Sequence, residues 1–232
     1  MPKELHDRLH VPKMACKPQQ YSSHQTGIFK AAFEDDIEAV TEFIEKDTHL
    51  NIRNWRGDTP LNCAIRGKAE NTIDWLLDNK ASPEFGGWLY EPPIVAATAI
   101  NNESAVETLL RKEIGTDVDG VDERGWTAVL VAAKAGFYSL TKTLINFGAD
   151  LSLRSKQGDS AAYWVAKHNW EDIYERITQE SNFKYVLQDA MEFAEEQDDE
   201  QLPALLKNKD QNVNTRRPPG SPEGPPAKKH CQ

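Results

Sequence analysis

The side chains of this 232-residue chain that could carry reaction chemistry are scattered along it. A nucleophile needs a base to take its proton and a third group to orient that base, and no Ser, Cys or Thr stands at a recognisable spacing from such partners. No glycine loop of the phosphate-cradling kind occurs either. His6 and His10 lie four apart with Cys16 and His24 nearby, but the spacing matches no strong metal-ligand pattern and the segment reads as a loose arm. His168 lies in a helix-rich segment with aromatic neighbours, at a position read as exposed and not catalytic. Cys16, Cys63 and Cys231 are odd in number and widely spaced, which implies neither a disulfide framework nor a zinc ribbon and suits a reducing compartment. The expectation is a protein without catalytic residues, metal or cofactor.

The elements that must position any working side chain repeat. Small residues at Ala31, Ala64, Ala97, Ala132 and Val165 are separated by 33, 33, 35 and 33 positions. An apolar pair follows 12 and 13 positions later: Phe43 with Ile44, Leu76 with Leu77, Leu109 with Leu110, and Leu144 with Ile145, while the last unit keeps only Ile177. Such a period marks stacked supersecondary units. In the second unit Gly57 supplies a turn conformation that other residues avoid, Thr59 can cap the following helix, and Pro60 stands where a missing amide proton costs least. Ala64 permits close packing of a short inner helix, and Ile73, Leu76 and Leu77 form the apolar stripe of an outer one. A degenerate sixth unit emerges when Phe193–Asp199 is laid over Ala31–Ile37, so that Leu202, Leu205 and Leu206 fall on Val40, Phe43 and Ile44. The stretch from Glu180 to Leu187 before it is too short for a full tip turn.

The run Gly57-Asp58-Thr59-Pro60-Leu61-Asn62-Cys63-Ala64 with Trp75-Leu76-Leu77, and the run Gly125-Trp126-Thr127-Ala128-Val129-Leu130-Val131-Ala132-Ala133 with Leu144-Ile145 and Gly148-Ala149-Asp150-Leu151, resemble the ankyrin repeat. The third unit departs from the pattern, with Tyr90-Glu91-Pro92-Pro93-Ile94 at its turn and two extra residues near Ile114-Gly115-Thr116, and so does the fifth, which reads Gly158-Asp159-Ser160-Ala161-Ala162. The expected fold is an all-α, ankyrin-like repeat solenoid of helix-turn-helix units. Residues 1–25 form a flexible arm, 26–180 five repeats, 181–214 a degenerate capping repeat with a polar outer face, and 215–232 a disordered Pro/Gly-rich basic tail.

The resemblance implies binding of another protein through the turn tips and the exposed, concave side of the inner helices. Carried over residue by residue, it selects Trp55, Arg56 and Asp58; Trp88, Tyr90 and Glu91; Asp122, Glu123, Arg124 and Trp126; and Gln157 with Asp159. Tryptophans and carboxylates at successive tips suit a basic or mixed-charge segment, because indole faces attract cations and large aromatics dominate interface energies. The competing reading makes Trp55 and Trp126 packing residues and the carboxylates ordinary solvated charges. Trp88, Tyr90 and Trp126 could also form a cage for methylated lysine. An adaptor is the leading expectation, with a regulatory subunit that occludes an enzyme's basic groove as the alternative. Trp164, Trp170 and Tyr174 are expected at the seam with the cap.

The net charge is −10, and the two ends are basic, +2 over residues 1–25 and +3 over 215–232, so the body between them carries −15. Such a surface repels nucleic-acid backbones and anionic lipid. The start of the chain lacks the apolar core of a secretion signal, and nowhere do 18 apolar residues run together. An intracellular monomer is expected, cytoplasmic unless Arg216-Arg217 and Lys228-Lys229 act as a two-part nuclear address, with Ser221-Pro222 a phosphorylation site between them.

Overall fold

The structure is a computed structural model that describes residues 23–46, 49–84, 86, 91–111, 114–177, 183–197 and 199. Trp88 and Tyr90, most of the N-terminal arm, residues 201–214 of the expected cap and the tail 215–232 with its basic pairs and Ser221 lie outside these residues. The described residues form eleven α-helices and no strand. They are α1 (Ser23–Phe33), α2 (Ile37–Glu45), α3 (Pro60–Gly67), α4 (Glu70–Asp78), α5 (Pro93–Ala99), α6 (Glu103–Arg111), α7 (Ala128–Ala135), α8 (Tyr138–Asn146), α9 (Ala161–Lys167), α10 (Glu171–Ile177) and α11 (Phe183–Glu196). None is long and apolar enough to cross a membrane.

The inner helices start and stop by the same chemistry. Thr59, Thr127 and Ser160 occupy the N-cap positions of α3, α7 and α9, where each side-chain oxygen accepts the amide three residues on, from Asn62, Leu130 and Tyr163. Such a cap is worth about 1 kcal/mol. Pro60 opens α3 as expected, and Pro93 does the same for α5, whose start has no side-chain cap. At the other end the carbonyls of Ala31, Ala64, Ala97, Ala132 and Val165 accept the amides of Asp36, Ala69, Asn102, Phe137 and Trp170. This six-to-one closure needs a left-handed residue just before the donor. Asp35, Lys68, Asn101, Gly136 and Asn169 supply it, with φ of 62°, 57°, 52°, 78° and 55°. Outer helices α4 and α8 end alike, Ala81 and Ala149 donating to Leu76 and Leu144 after Lys80 and Gly148.

The chain divides into two compact units, residues 1–150 and 151–232. In the first, the inner helices α1, α3, α5 and α7 pack in succession, and the outer helices α2, α4, α6 and α8 pack beside them in the same order. The anchors Ala31, Ala64, Ala97 and Ala132 are buried, with Leu61, Ile65, Ile73, Leu76, Leu77, Ile94, Leu109, Leu130, Leu140 and Leu144 fully enclosed among them. Full burial of one such aliphatic side chain is worth about 1.5–3 kcal/mol. The approach of α1 to α3 is tight: a Cβ on Gly67 would lie 2.0 Å from the backbone oxygen of Phe33. Polar rungs tie successive units, since Ser82 N donates to Asn51 Oδ1 and Asp150 N to Asp119 Oδ1, each at 2.9 Å.

In the second unit α9 packs on α10 and α11. The helix α11 runs from Phe183 to Glu196, so the expected turnless stretch is helical from Phe183 on, and the expected overlay shifts by one residue: the buried Ala194, not Phe193, accepts the amide five positions on, from Asp199, as Ala31 accepts that of Asp36. The first helix also begins earlier than the expected boundary at residue 25, at Ser23.

Left-handed lysines are strained where glycine is not. Lys68→Gly is expected to stabilise the protein by about 0.5–1 kcal/mol in urea unfolding, whereas Gly136→Ala, at the equivalent position, destabilises it by about 1 kcal/mol. Equal effects at the two sites would contradict the shared closure.

Candidate functional site

Three tips are built on one hydrogen-bond plan, set by a short polar residue three positions before the tip glycine. Asn54 Oδ1 accepts the amides of Arg56 and Asp58 at 2.9 and 3.0 Å. Asp122 Oδ1 accepts those of Arg124 and Trp126, both at 2.9 Å, and Ser155 Oγ those of Gln157 and Asp159 at 3.2 and 3.1 Å. The backbone repeats the pattern. Asn54, Asp122 and Ser155 each donate to the carbonyl four residues on and accept from the glycine three residues on, Gly57, Gly125 or Gly158, whose φ is near +80° (83°, 77° and 84°). Tips braced in this way present their second and third residues outward: Trp55 with Arg56, Glu123 with Arg124, and Lys156 with Gln157.

This geometry corrects part of the expected binding face. Asp58, Asp122 and Asp159 are only 1%, 3% and 6% exposed, and Trp126 is 7% exposed. They were expected as surface charges and an open indole. Aspartate is short enough to serve the backbone of its own turn, and that use buries the carboxylate. Asn54 and Ser155, absent from the expected set, share the role of Asp122. The expected inner-helix face is also largely closed: Pro60–Ile65 of α3, Pro93–Thr98 of α5 and Ala128–Ala133 of α7 are buried, leaving only the last residues of each helix partly accessible.

The charged residues around these tips are largely paired with one another. Arg66 on α3 places Nη2 2.6 Å from Glu91 Oε2, and its Nε lies 3.9 Å from Asp58 Oδ1, all three side chains being largely enclosed. Asp122 Oδ2 receives Nε and Nη2 of Arg124, each at 2.9 Å. Trp126 is bracketed by its own chain's cations, Lys134 Nζ at 4.5 Å and the Arg124 guanidinium at 5.9 Å from the ring centre. A cage for methylated lysine needs that ring face, so Trp126 does not serve one. Burial pushes the Glu91 carboxyl above its ordinary range; Arg66 opposes the shift, the Asp122 charge adds to it and Arg124 opposes it. Trp55 differs from Trp126: it is 51% exposed, with the Arg56 guanidinium 4.7 Å over its ring.

In the second unit Gln157 is exposed while Asp159 Oδ2 accepts from Ser155 Oγ at 3.0 Å. The seam between α9 and α11 includes Tyr163, edge-on to Phe193 at 4.9 Å, a residue not among the aromatics expected there. The Tyr163 hydroxyl donates to Asp199 Oδ2 at 3.1 Å and accepts from Lys167 Nζ at 2.6 Å. Trp164 and Trp170 are half-buried, Tyr174 is buried, and the exposed His168 stacks on Trp170 at 4.7 Å. Among the described residues no group of three His, Cys, Asp or Glu is placed to hold a metal ion.

A carboxyl raised by burial favours folding in its neutral form; that stability is full below the ordinary glutamate range and is lost as pH rises through the folded value. Glu91→Gln should therefore gain stability relative to the parent chain between about pH 4 and pH 7 in thermal unfolding. A difference independent of pH would contradict the burial of Glu91.

Comparison with known proteins matches residues 93–189 to the family described as ankyrin repeats, in three copies. SH3 and multiple ankyrin repeat domains protein 2 of Homo sapiens is 27% identical over 139 residues, which is 60% of this chain and 8% of that protein. Neurogenic locus notch homolog protein 1 of Mus musculus is 28% identical over 137 residues, 59% of this chain and 5% of that protein. The Xenopus laevis protein of the same name is 28% identical over 139 residues, 59% of this chain and 6% of its own length. The chain thus spans less than a tenth of the length of these curated relatives. Matched repeats, their period and the shared closure of the described inner helices agree: residues 93–189 of this chain match the ankyrin-repeat family.

Proposed function

We propose that this chain is a non-catalytic recognition module that binds a segment of another protein through the outward residues of its tips. Ankyrin repeats are in general protein–protein interaction modules, and the feature that carries the reading here is the division of labour within each tip. Asn54, Asp122 and Ser155 are spent on holding the turn, while Trp55 with Arg56, Glu123 with Arg124, and Gln157 stand toward solvent. Residues anchored by a rigid turn lose little freedom on binding, which favours contact there. Within the first unit the outward set combines an aromatic ring and both signs of charge, as a mixed-charge segment requires. The acidic body disfavours nucleic acid as the partner.

Affinity capture from cells with mass spectrometry tests this, comparing the parent chain with Trp55→Ala and with Glu123→Ala. Both variants are expected to unfold within about 0.5 kcal/mol of the parent, because Trp55 and Glu123 are exposed, and to lose a partner that the parent retains. An unchanged set of partners would contradict recognition through the tips.

A further inference from the structure

In a stacked array a side chain is enclosed from both sides only where a repeat stands on each side of it. By the period, Ala39 on α2 corresponds to Thr72, Ala105 and Leu140 on α4, α6 and α8. Those three are buried, and position 72 meets the preceding repeat directly, the Thr72 amide donating to Asp35 Oδ1 at 2.8 Å. Ala39 is only half-buried. Phe43 and Ile44 are half-buried as well, where Leu76, Leu77, Leu109, Leu144 and Ile145 are enclosed and, of their counterparts, Leu110 alone is not. Among the described residues no repeat precedes α1, so Ala39, Phe43 and Ile44 form an apolar strip that is only partly covered. Its rim is acidic: Glu34, Asp36, Glu38, Glu42 and Glu45 are exposed, against Lys30 and Lys46.

We infer that residues 1–22, which lead directly into α1, fold back along α2 and cover this strip, with Leu5 and Leu9 supplying the apolar contact and Lys3 and Arg8 facing the acidic rim. Place, reach and chemistry select this segment. A Cβ on Gly27 would lie 2.1 Å from Cζ of the Phe43 ring, so the first half of α1 stands against the strip and the arm enters beside it. The 22 residues extend to about 70 Å, whereas the 9 residues of α2 span only about 14 Å. Leu5 and Leu9 stand one helical turn apart, and Lys3, Arg8, Lys13 and Lys17 outnumber Glu4 and Asp7, opposite in sign to the rim. The basic tail 215–232 shares that sign but carries no large apolar side chain, and it belongs to the other compact unit. A second copy of the chain would set the acidic rim against itself, which repulsion opposes.

Amide hydrogen exchange by NMR on the full chain tests the cover by comparing the parent with Leu5→Ser/Leu9→Ser, substitutions that lie outside the repeats. Exchange at the amides of Phe43 and Ile44 should rise about tenfold in the variant, while that of Leu144 and Ile145, their counterparts on α8, changes by less than about twofold. Lys3→Glu/Arg8→Glu should speed the same two amides by a smaller factor, and added salt should do so in the parent. Unchanged exchange at Phe43 and Ile44 in the leucine variant, or an equal rise at Leu144 and Ile145, overturns the inference. Light scattering separates the other occupant: a parent chain that is dimeric and becomes monomeric with Ile44→Glu assigns the strip to a second copy and rejects the arm.

Discussion

Each inner helix of this chain is closed by one hydrogen bond, from an amide to the carbonyl of the small residue five positions back, and that closure places the next helix. It demands a left-handed residue directly before the donor, which the chain meets with Asp, Lys, Asn, Gly and Asn in turn. The accepting residues are Ala31, Ala64, Ala97, Ala132 and Val165, whose small side chains let neighbouring inner helices approach. Position and closure therefore share one residue. A change of register at any of them would misplace both the helix end and the packed face, so the period survives where the surrounding sequence drifts.

The tips inherit their rigidity from this arrangement and add a second constraint of their own. The backbone of a five-residue turn leaves amides pointing inward with no helix or strand to receive them, and a short polar side chain is the cheapest acceptor within reach. Asn54, Asp122 and Ser155 fill that role with three different functional groups, which indicates that geometry and not charge is what the position requires. The brace turns two residues of each tip outward, and these are the ones proposed for recognition. In the first unit these are Trp55, Arg56, Glu123 and Arg124, so these tips are less acidic than the body's charge implies.

Much of the fold was legible because it rests on spacing. The anchor positions, the pairs Leu76 with Leu77 and Leu144 with Ile145, Thr59 as cap and Pro60 as first helical residue follow from period and turn chemistry and stand as expected, whereas Phe43 and Ile44 are only half-buried. The site was harder to read. Asp58, Asp122 and Asp159 have the letters of surface charge, and only their hydrogen bonds reveal that they are interior parts of a turn; a signal did exist in the recurrence of Asn, Asp or Ser three residues before the tip glycine. Trp126 was open to two readings, and the cations of its own chain decide for packing. Lys68 and Lys80 gave no sign of their left-handed backbone, since lysine rarely adopts it and the need arises from the closure alone. The start of α11 at Phe183 has no glycine turn before it to mark it in the sequence.

The account stands on the tips being braced from within. Hydrogen exchange followed residue by residue by NMR reads this directly, through the amides of Arg56, Asp58, Arg124, Trp126, Gln157 and Asp159. Slow exchange at these six loop amides, with Asn54→Ala releasing Arg56 and Asp58 alone, is the predicted result. Exchange at the rate of an open loop, or no change at Arg56 and Asp58 when Asn54 is removed, would contradict it.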